Sequence, residues 1–139
     1  MSAAGAILVD LDAAGFTFPP ASGETLVLCF DFRRDVEAYF ATRVGVPVAG
    51  ATLADAIAFN IAHADVEMPF FNQDIWDLSE SLLPGVDDPQ PAFGGLTYNE
   101  ALAIDQNTAV NGIDAALSQF NLDAVVTATD NPAWARILL

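Results

Sequence analysis

The sequence predicts an α/β fold in which a mixed sheet of few strands is covered by helices. Two short apolar segments, Ala6–Leu11 and Leu122–Thr129, have the length and the β-branched residues of buried strands. Between them, apolar residues recur at helical spacing behind capping sequences that begin at Thr52 and Thr97. Because strands this apolar are normally covered on both faces, the helices are expected to supply that cover.

The composition indicates a single globular segment. The chain has 139 residues, of which 53% are hydrophobic, enough for a substantial core. Its longest uninterrupted apolar run, Leu26–Phe30, is far shorter than the roughly 18 residues that suggest a membrane span. Met1–Gly5 lacks the basic segment of a secretory signal peptide, and the single Cys29 fits a reducing compartment. A cytoplasmic location is therefore expected.

The charge of the chain excludes several classes of function. There are 19 acidic residues against four arginines, and lysine is absent, so the formal net charge is -15. This charge repels phosphate backbones and anionic lipid headgroups, so neither nucleic acid nor membrane is expected as a partner. Without lysine, the chain can supply neither a Schiff base nor the phosphate-binding lysine of a P-loop.

The first predicted helix covers Asp31–Thr42, where aromatic and aliphatic residues fall at helical spacing. Periodicity alone leaves the preceding segment open. Leu26–Phe30 suits either a strand or the first part of a helix that begins near Glu24. Gly45 and Pro47 are expected to end the helix.

A second helix is predicted to begin at Thr52, because Thr52 and Asp55 have the spacing of a capping box. Its predicted buried stripe consists of Leu53, Ile57, Ile61 and Ala64. A short helix follows Asn72 and has Ile75, Leu78 and Leu82 on one face. Pro84–Gly95 is rich in proline and glycine and is predicted to be a surface loop.

A long helix is predicted behind the second capping box, which pairs Thr97 with Glu100. Its predicted core residues are Leu102, Ala109, Ile113, Ala116, Leu117 and Phe120. Asn121 can end this helix in a left-handed conformation. The predicted strand Leu122–Thr129 comes directly afterwards.

The residue types that commonly carry chemistry are sparse. His63 lies near Asp65 and Glu67, but without a second histidine or cysteine at ligand spacing it is interpreted as a structural residue at a helix end. Asp31 and Asp35 lie one helical turn apart and are interpreted as an exposed charged face with arginine partners. No serine lies in a Gly-x-Ser-x-Gly sequence. The residues thus predict no catalytic set, no metal site and no cofactor.

Aromatic residues leave two interpretations open. Phe70, Phe71, Trp76 and Trp134 suit either an apolar pocket or an ordinary core, and the core is favoured. Trp134 is the best candidate for a pocket, because it follows the carboxyl end of a predicted strand. Open α/β sheets bind their ligands at that position.

Two blocks of the sequence carry a family resemblance. The first consists of Thr52–Asn60 (TLADAIAFN), His63-Ala64, Glu67–Phe71 (EMPFF) and Gln73-Asp74. The second consists of Gly112–Leu117 (GIDAAL), Leu122–Val126 (LDAVV) and Pro132–Trp134 (PAW). Both resemble the C-terminal third of amidase-signature enzymes, particularly the peptide-amidase-like branch. Thr25–Tyr39 also resembles the helix that precedes the first block in that family, which implies a helix at Leu26–Phe30.

The resemblance implies that residues 1–139 form the C-terminal part of an amidase domain. Amidases of this family hydrolyse carboxylic amides to an acid and ammonia or an amine, using a Ser–cis-Ser–Lys triad. This sequence has neither a lysine nor the Gly/Ser-rich signature, so no residue matches the triad. The implied role is to contribute sheet and substrate-pocket wall to a longer enzyme, inactive alone, that acts on a small-molecule or peptide amide.

Thr129, Asn131 and Trp134 are the predicted substrate-pocket residues, because they follow the carboxyl end of the strand Leu122–Thr129. The sequence departs from the family pattern nearby, since the family commonly has Pro-Thr where this chain has Ala128 and then Thr129. Proline would fix the backbone there, so the loop geometry is expected to differ.

The alternative prediction is a non-enzymatic, acidic interaction or scaffold protein derived from the amidase fold. It would unfold cooperatively and hydrolyse no amide. The fragment hypothesis instead predicts exposed apolar surface, because Ala6–Leu11 and Leu122–Thr129 lack sheet neighbours within this sequence. Self-association through these exposed strands is then expected.

Overall fold

The computed structural model describes residues 1–20 and 23–126, and helices account for 55% of them. The α-helices of this part are α1 (Glu24–Ala41), α2 (Leu53–Ala62), α3 (Ala64–Glu67), α4 (Asp74–Glu80), α5 (Tyr98–Ala109) and α6 (Ala115–Phe120). Short 3-10 turns lie at Ser2–Ala4 and Pro91–Phe93, and a π-helical turn at Val110–Asp114 joins α5 to α6. No helix in these ranges is long and apolar enough to cross a membrane.

The prediction of an α/β fold is wrong for the part of the chain that the structure describes, since it contains no strand and no sheet. Ala6–Leu11 has neither helix nor strand, and the side chain of Ile7 is 92% exposed. Residues 122–126 also form no strand, while residues 127–129 lie outside the described ranges. A strand is stabilised by hydrogen bonds to a neighbour. The described residues offer these two segments no such neighbour, so apolar, β-branched composition alone did not produce a sheet.

Helix α1 settles the alternative at Leu26–Phe30, because it runs without interruption from Glu24 to Ala41. The helix implied by the resemblance is therefore confirmed at this segment, and the strand is excluded. Leu26 and Cys29 lie three residues apart on one helical face, and both are buried. Burial of this pair against the rest of the unit explains why the apolar run is helical rather than extended.

Gly23–Leu102 form one compact unit, in which α1 packs against α2 and α4. The buried core of this unit consists of Leu26, Cys29, Leu82 and Ala101, and Val27, Phe30, Leu78, Phe93 and Leu96 pack around it. The predicted short helix is confirmed as α4, whose Leu78 contacts the core. The predicted stripe of α2 is wrong for its second half: Leu53 is fully buried and Ile57 is half-buried, but Ile61 is 62% exposed and Ala64 is also exposed.

Both predicted capping boxes are confirmed. At α2, the Thr52 hydroxyl accepts from the Asp55 N–H, and the Asp55 carboxylate accepts from the Thr52 N–H at 2.9 Å. Thr97 and Glu100 make the same reciprocal bonds at the start of α5. Each box satisfies two backbone donors that a helix start otherwise leaves unpaired, which explains why these helices begin where the capping sequences predict.

The second compact unit combines the N-terminal segment with the region from Ala103 onward, and the structure describes residues 1–20 and 103–126 of it. Leu11 and Ala116 are its buried apolar residues, and Phe16, Phe18, Phe120, Leu122 and Val125 pack around them. Asn121 has φ +50°, which confirms the predicted left-handed helix end. The Leu122 N–H donates to the Leu117 carbonyl at 2.9 Å and closes this end of the helix.

Candidate functional site

The predicted pocket residues Thr129, Asn131 and Trp134 lie outside the described residues. The prediction that they line a substrate pocket therefore stays a prediction. Among the described residues, the structure brings other side chains together around two cavities in the unit Gly23–Leu102.

His63 and Cys29 have structural positions, as the sequence favoured. His63 Nδ1 lies 2.8 Å from the Phe59 carbonyl oxygen, and its ring stacks on the Phe59 ring with centroids 4.2 Å apart. Cys29 lies on the buried face of α1. No group of three or more metal-ligating side chains occurs in the described ranges.

The arginine partners predicted for Asp31 and Asp35 are confirmed, although Asp35 is exposed and Asp31 is half-buried. Arg34 Nη1 lies 2.9 Å from Asp31 Oδ1, and Arg34 Nε donates to Asp35 Oδ1 at 2.8 Å. The hydrogen bond from Arg34 lowers the pKa of Asp35 and outweighs partial desolvation. Tyr98 Oη also donates to Asp31 at 3.2 Å. A lowered pKa at Asp35 does not favour acid–base catalysis near neutral pH.

A cavity of about 410 Å³ lies beside α1 and contains the guanidinium of Arg33. Arg33 Nη1 donates to the carbonyls of Glu80 at 3.1 Å and Leu82 at 3.0 Å, and Nη2 lies 3.3 Å from Glu80 Oε1. Its Nε faces Glu37 at 3.9 Å. These bonds hold the end of α4 against α1, so Arg33 serves the fold and is already occupied by protein acceptors.

The second cavity is an open groove of about 450 Å³ between the end of α2 and the start of α4. We call it the aromatic groove, and its lining residues are Asn60, Glu67, Met68, Phe71, Asn72, Gln73, Asp74, Ile75 and Trp76. Asn60 Nδ2 donates to Gln73 Oε1 at 3.1 Å and ties the two walls together. The groove presents apolar and aromatic surface beside the carboxylates of Glu67 and Asp74, which suits a ligand that is both apolar and cationic.

The core interpretation of the aromatic residues is wrong for two of them. Phe70 is 87% exposed and Phe71 is 84% exposed, and Phe71 forms part of the groove. Trp76 is half-buried because its ring packs beside Phe32 of α1, with centroids 5.8 Å apart. Sequence reasoning missed the groove because helical spacing does not reveal whether an apolar face has a partner.

The serines at the end of α4 are not activated nucleophiles. Ser79 Oγ donates to the Ile75 carbonyl at 2.7 Å, and Ser81 Oγ donates to the Leu78 carbonyl at 2.7 Å. Each hydroxyl proton is thus directed to the backbone and not to a general base.

No protein-family model, curated protein or solved structure matches this chain. The amidase resemblance is therefore carried by the quoted sequence blocks alone.

Proposed function

We propose that this chain is part of an amidase-type hydrolase, to which it contributes helices that wall the substrate pocket. The Ser–cis-Ser–Lys triad would come from residues outside these 139, because lysine is absent from them. The substrate is a small-molecule or peptide amide, which is hydrolysed to an acid and ammonia or an amine.

Helix α1 is the observation that carries this proposal. The amidase resemblance implies a helix through Leu26–Phe30, whereas periodicity leaves a strand equally open, and α1 is continuous from Glu24 to Ala41. The first amidase-like block, Thr52–Asp74, supplies α2 and α3 and ends at the first residue of α4. Helix α1 therefore supports the resemblance at Leu26–Phe30, where the resemblance implies a helix and periodicity does not distinguish a helix from a strand.

Exposed apolar surface supports a role within a larger protein. Ile7 is 92% exposed and Val44 is 91% exposed. Solitary exposed apolar residues are ordinary, but nearly complete exposure recurs in several separate segments of this chain. Contact with further amidase residues would remove this surface from water.

The test begins with the coding sequence that precedes the Met1 codon. We expect a lysine followed by a Gly/Ser-rich stretch in the same reading frame. The joined protein should release ammonia from a C-terminally amidated dipeptide, and the 139-residue chain alone should release none. Substitution of the catalytic serine by alanine is the control for the joined protein. An upstream sequence without these features, or a joined protein that hydrolyses none of a panel of aliphatic, aromatic and peptide amides, contradicts the proposal.

The predicted pocket residues are tested in the same joined protein. Trp134→Ala should raise KM for the amide more than it lowers kcat, because the residue is proposed to contact substrate without taking part in proton transfer. Val44→Ala, which truncates a 91% exposed apolar side chain outside the helices and both cavities, is the control and should leave KM unchanged. An unchanged KM in Trp134→Ala contradicts the pocket assignment and leaves the amidase proposal intact.

A second candidate is the acidic interaction protein, and the buried Gln90 favours it. Gln90 is fully buried, and its side-chain amide bonds to the backbone of Leu83 and Asp88. The partners of this buried amide all come from the same unit, so its pairing requires no contact with another protein. A single cooperative thermal transition without binding of a hydrophobic dye would favour this function. Dye binding by the native chain would favour the amidase segment.

A further inference from the structure

The segment that forms the aromatic groove presents an exposed apolar surface. Its large exposed side chains, all within residues 59–76, are Phe59, Ile61, Val66, Phe70, Phe71 and Ile75. Ile61 was predicted to be buried but belongs to this exposed surface. The side of α2 that carries Ile61 therefore has no covering element among the described residues. Concentrated apolar exposure of this kind is typical of a binding surface rather than of an ordinary monomer surface.

The extent of this surface indicates a ligand longer than a small molecule. A ligand that filled the groove of about 450 Å³ would cover Phe71 and Ile75, which line it. Val66 and Phe70 are exposed but do not line the groove, so a small ligand would leave them in water. A peptide segment that lies along the groove can cover residues inside and outside it.

The charge around the groove indicates a cationic partner. Glu67 and Asp74 line the groove, and Asp65 and Asp77 are exposed near them in the sequence. Neither Glu67 nor Asp74 makes an ion pair among the described residues, so no arginine described by the structure neutralises them by direct contact. The resulting negative potential attracts cations and increases the rate at which they associate.

We propose that the aromatic groove binds a basic amphipathic helix of a partner protein. The apolar face of that helix would contact Phe71 and Trp76, and its flanking lysine or arginine side chains would pair with Glu67 and Asp74. An amphipathic helix has this chemistry, because it presents apolar anchors on one side and cations at the edges of that side. Met68 adds an unbranched side chain that adjusts to different anchors. This inference rests on the groove and does not depend on the amidase proposal.

A designed peptide tests the inference directly on the full chain. The peptide is a 14-residue amphipathic sequence of leucine and lysine with helical spacing, at roughly two helical heptads. Trp134→Phe leaves Trp76 as the sole tryptophan, so its fluorescence reports on the groove. We expect saturable binding with a change in Trp76 emission, and calorimetry should give a stoichiometry near one. A scrambled peptide of the same composition should bind roughly tenfold more weakly, because it lacks the apolar face.

Paired variants separate the apolar and charged contributions. Phe71→Ala should weaken binding by roughly tenfold or more, as an exposed aromatic anchor in a groove does. Val44→Ala removes an equally exposed apolar residue outside the groove and should leave binding unchanged. Glu67→Gln combined with Asp74→Asn should weaken binding and flatten its salt dependence. The control for this pair, Glu24→Gln with Asp12→Asn, neutralises two exposed carboxylates elsewhere.

Circular dichroism of each variant verifies that its helix content is kept. Phe70→Ala is a second apolar variant, at a position that is 87% exposed. Equal binding of the scrambled peptide would overturn the inference, since it would show only general attraction to an acidic chain. Undiminished binding by both Phe71→Ala and Phe70→Ala would also overturn it. Displacement of the peptide by millimolar butylammonium would assign the groove to small organic cations instead.

Discussion

Arg33 donates from Nη1 to the carbonyl oxygen of Leu82 at 3.0 Å, across 49 residues of sequence. The same Nη1 also donates to the carbonyl of Glu80, the last residue of α4, so one side chain binds the backbone at the end of α4 and just beyond it. Carbonyls at the end of a helix lack intrahelical partners, and a guanidinium at this position both pairs them and opposes their partial negative charge. The contact therefore joins α1 to the end of α4.

Arg33→Lys is expected to lower the free energy of unfolding by about 1–2 kcal/mol, although it keeps the charge. A lysine ammonium cannot reproduce the planar fork that reaches both carbonyls and Glu80 at once. Urea unfolding followed by circular dichroism measures the change. Arg43→Lys is the matched control, because Arg43 is exposed and bonds to its neighbour Thr42; it should change stability by less than about 0.5 kcal/mol. Equal effects of the two substitutions would contradict the role given to Arg33.

Gln90→Leu is expected to destabilise the unit Gly23–Leu102 by about 2–4 kcal/mol. The Gln90 amide accepts from the Leu83 N–H at 2.8 Å and donates to the carbonyls of Leu83 and Asp88 at 3.1 Å. Leucine has a similar volume but removes the partner of these part-buried backbone groups. Chemical denaturation measures the loss. Gln106→Leu, at an exposed position, should be nearly neutral, and a neutral Gln90→Leu would show that water replaces the lost bonds.

Gly112→Ala is expected to destabilise the unit that contains the π-helical turn, although alanine is the better helix former by about 1 kcal/mol. A Cβ at residue 112 would lie 3.2 Å from Phe18 Cδ1, closer than ordinary van der Waals contact. Phe18 has little freedom to move, because its ring packs edge-to-face on Phe16 with centroids 5.0 Å apart. Thermal unfolding should show a lower transition for this variant. Gly112→Ala should lower the transition temperature less in a Phe18→Leu background than in the native chain, because the shorter side chain relieves the contact. An equal loss in both backgrounds would contradict the steric explanation.

Glu100→Gln is expected to alter the pH dependence of stability. The Thr97 backbone N–H, and then the Thr97 hydroxyl, hold the pKa of Glu100 below its ordinary value of 4.5. A depressed folded pKa means that the stabilisation is fully present above pH 4.5 and is lost as the pH falls through the folded pKa. The stability difference between the native chain and Glu100→Gln should therefore be constant from about pH 6 to 8 and vanish in acid. Urea titrations at each pH measure it.

The control for this pH prediction is Glu24→Gln. Glu24 also lies in the first turn of a helix, but α1 has no side-chain cap hydrogen bond. The difference in free energy of unfolding between the native chain and Glu24→Gln should vary less with pH than the corresponding difference for Glu100→Gln. Indistinguishable pH profiles for the two variants would show that first-turn charge, rather than the capping box, produces the effect.

Local chemistry explains which predictions about the fold are confirmed. The capping boxes at Thr52 and Thr97 act within four residues, and Asn121 ends its helix through its own tolerance of positive φ. Strands are different, because Ala6–Leu11 needs a partner strand that no local pattern specifies. The same limit applies to the candidate site: the sequence shows that Phe70 and Phe71 are aromatic, but not whether anything covers them.

The sequence by itself determined where the capped helices begin, how α6 ends, and that the chain carries a large negative charge without lysine. These properties depend on neighbouring residues or on composition. Only the tertiary structure decided that Leu26–Phe30 is helical, that Ile61 is exposed, and that Asn60 and Gln73 meet to frame the aromatic groove. The physical reason is that burial and pairing depend on which distant segments come together, and one-dimensional periodicity carries no information about that choice.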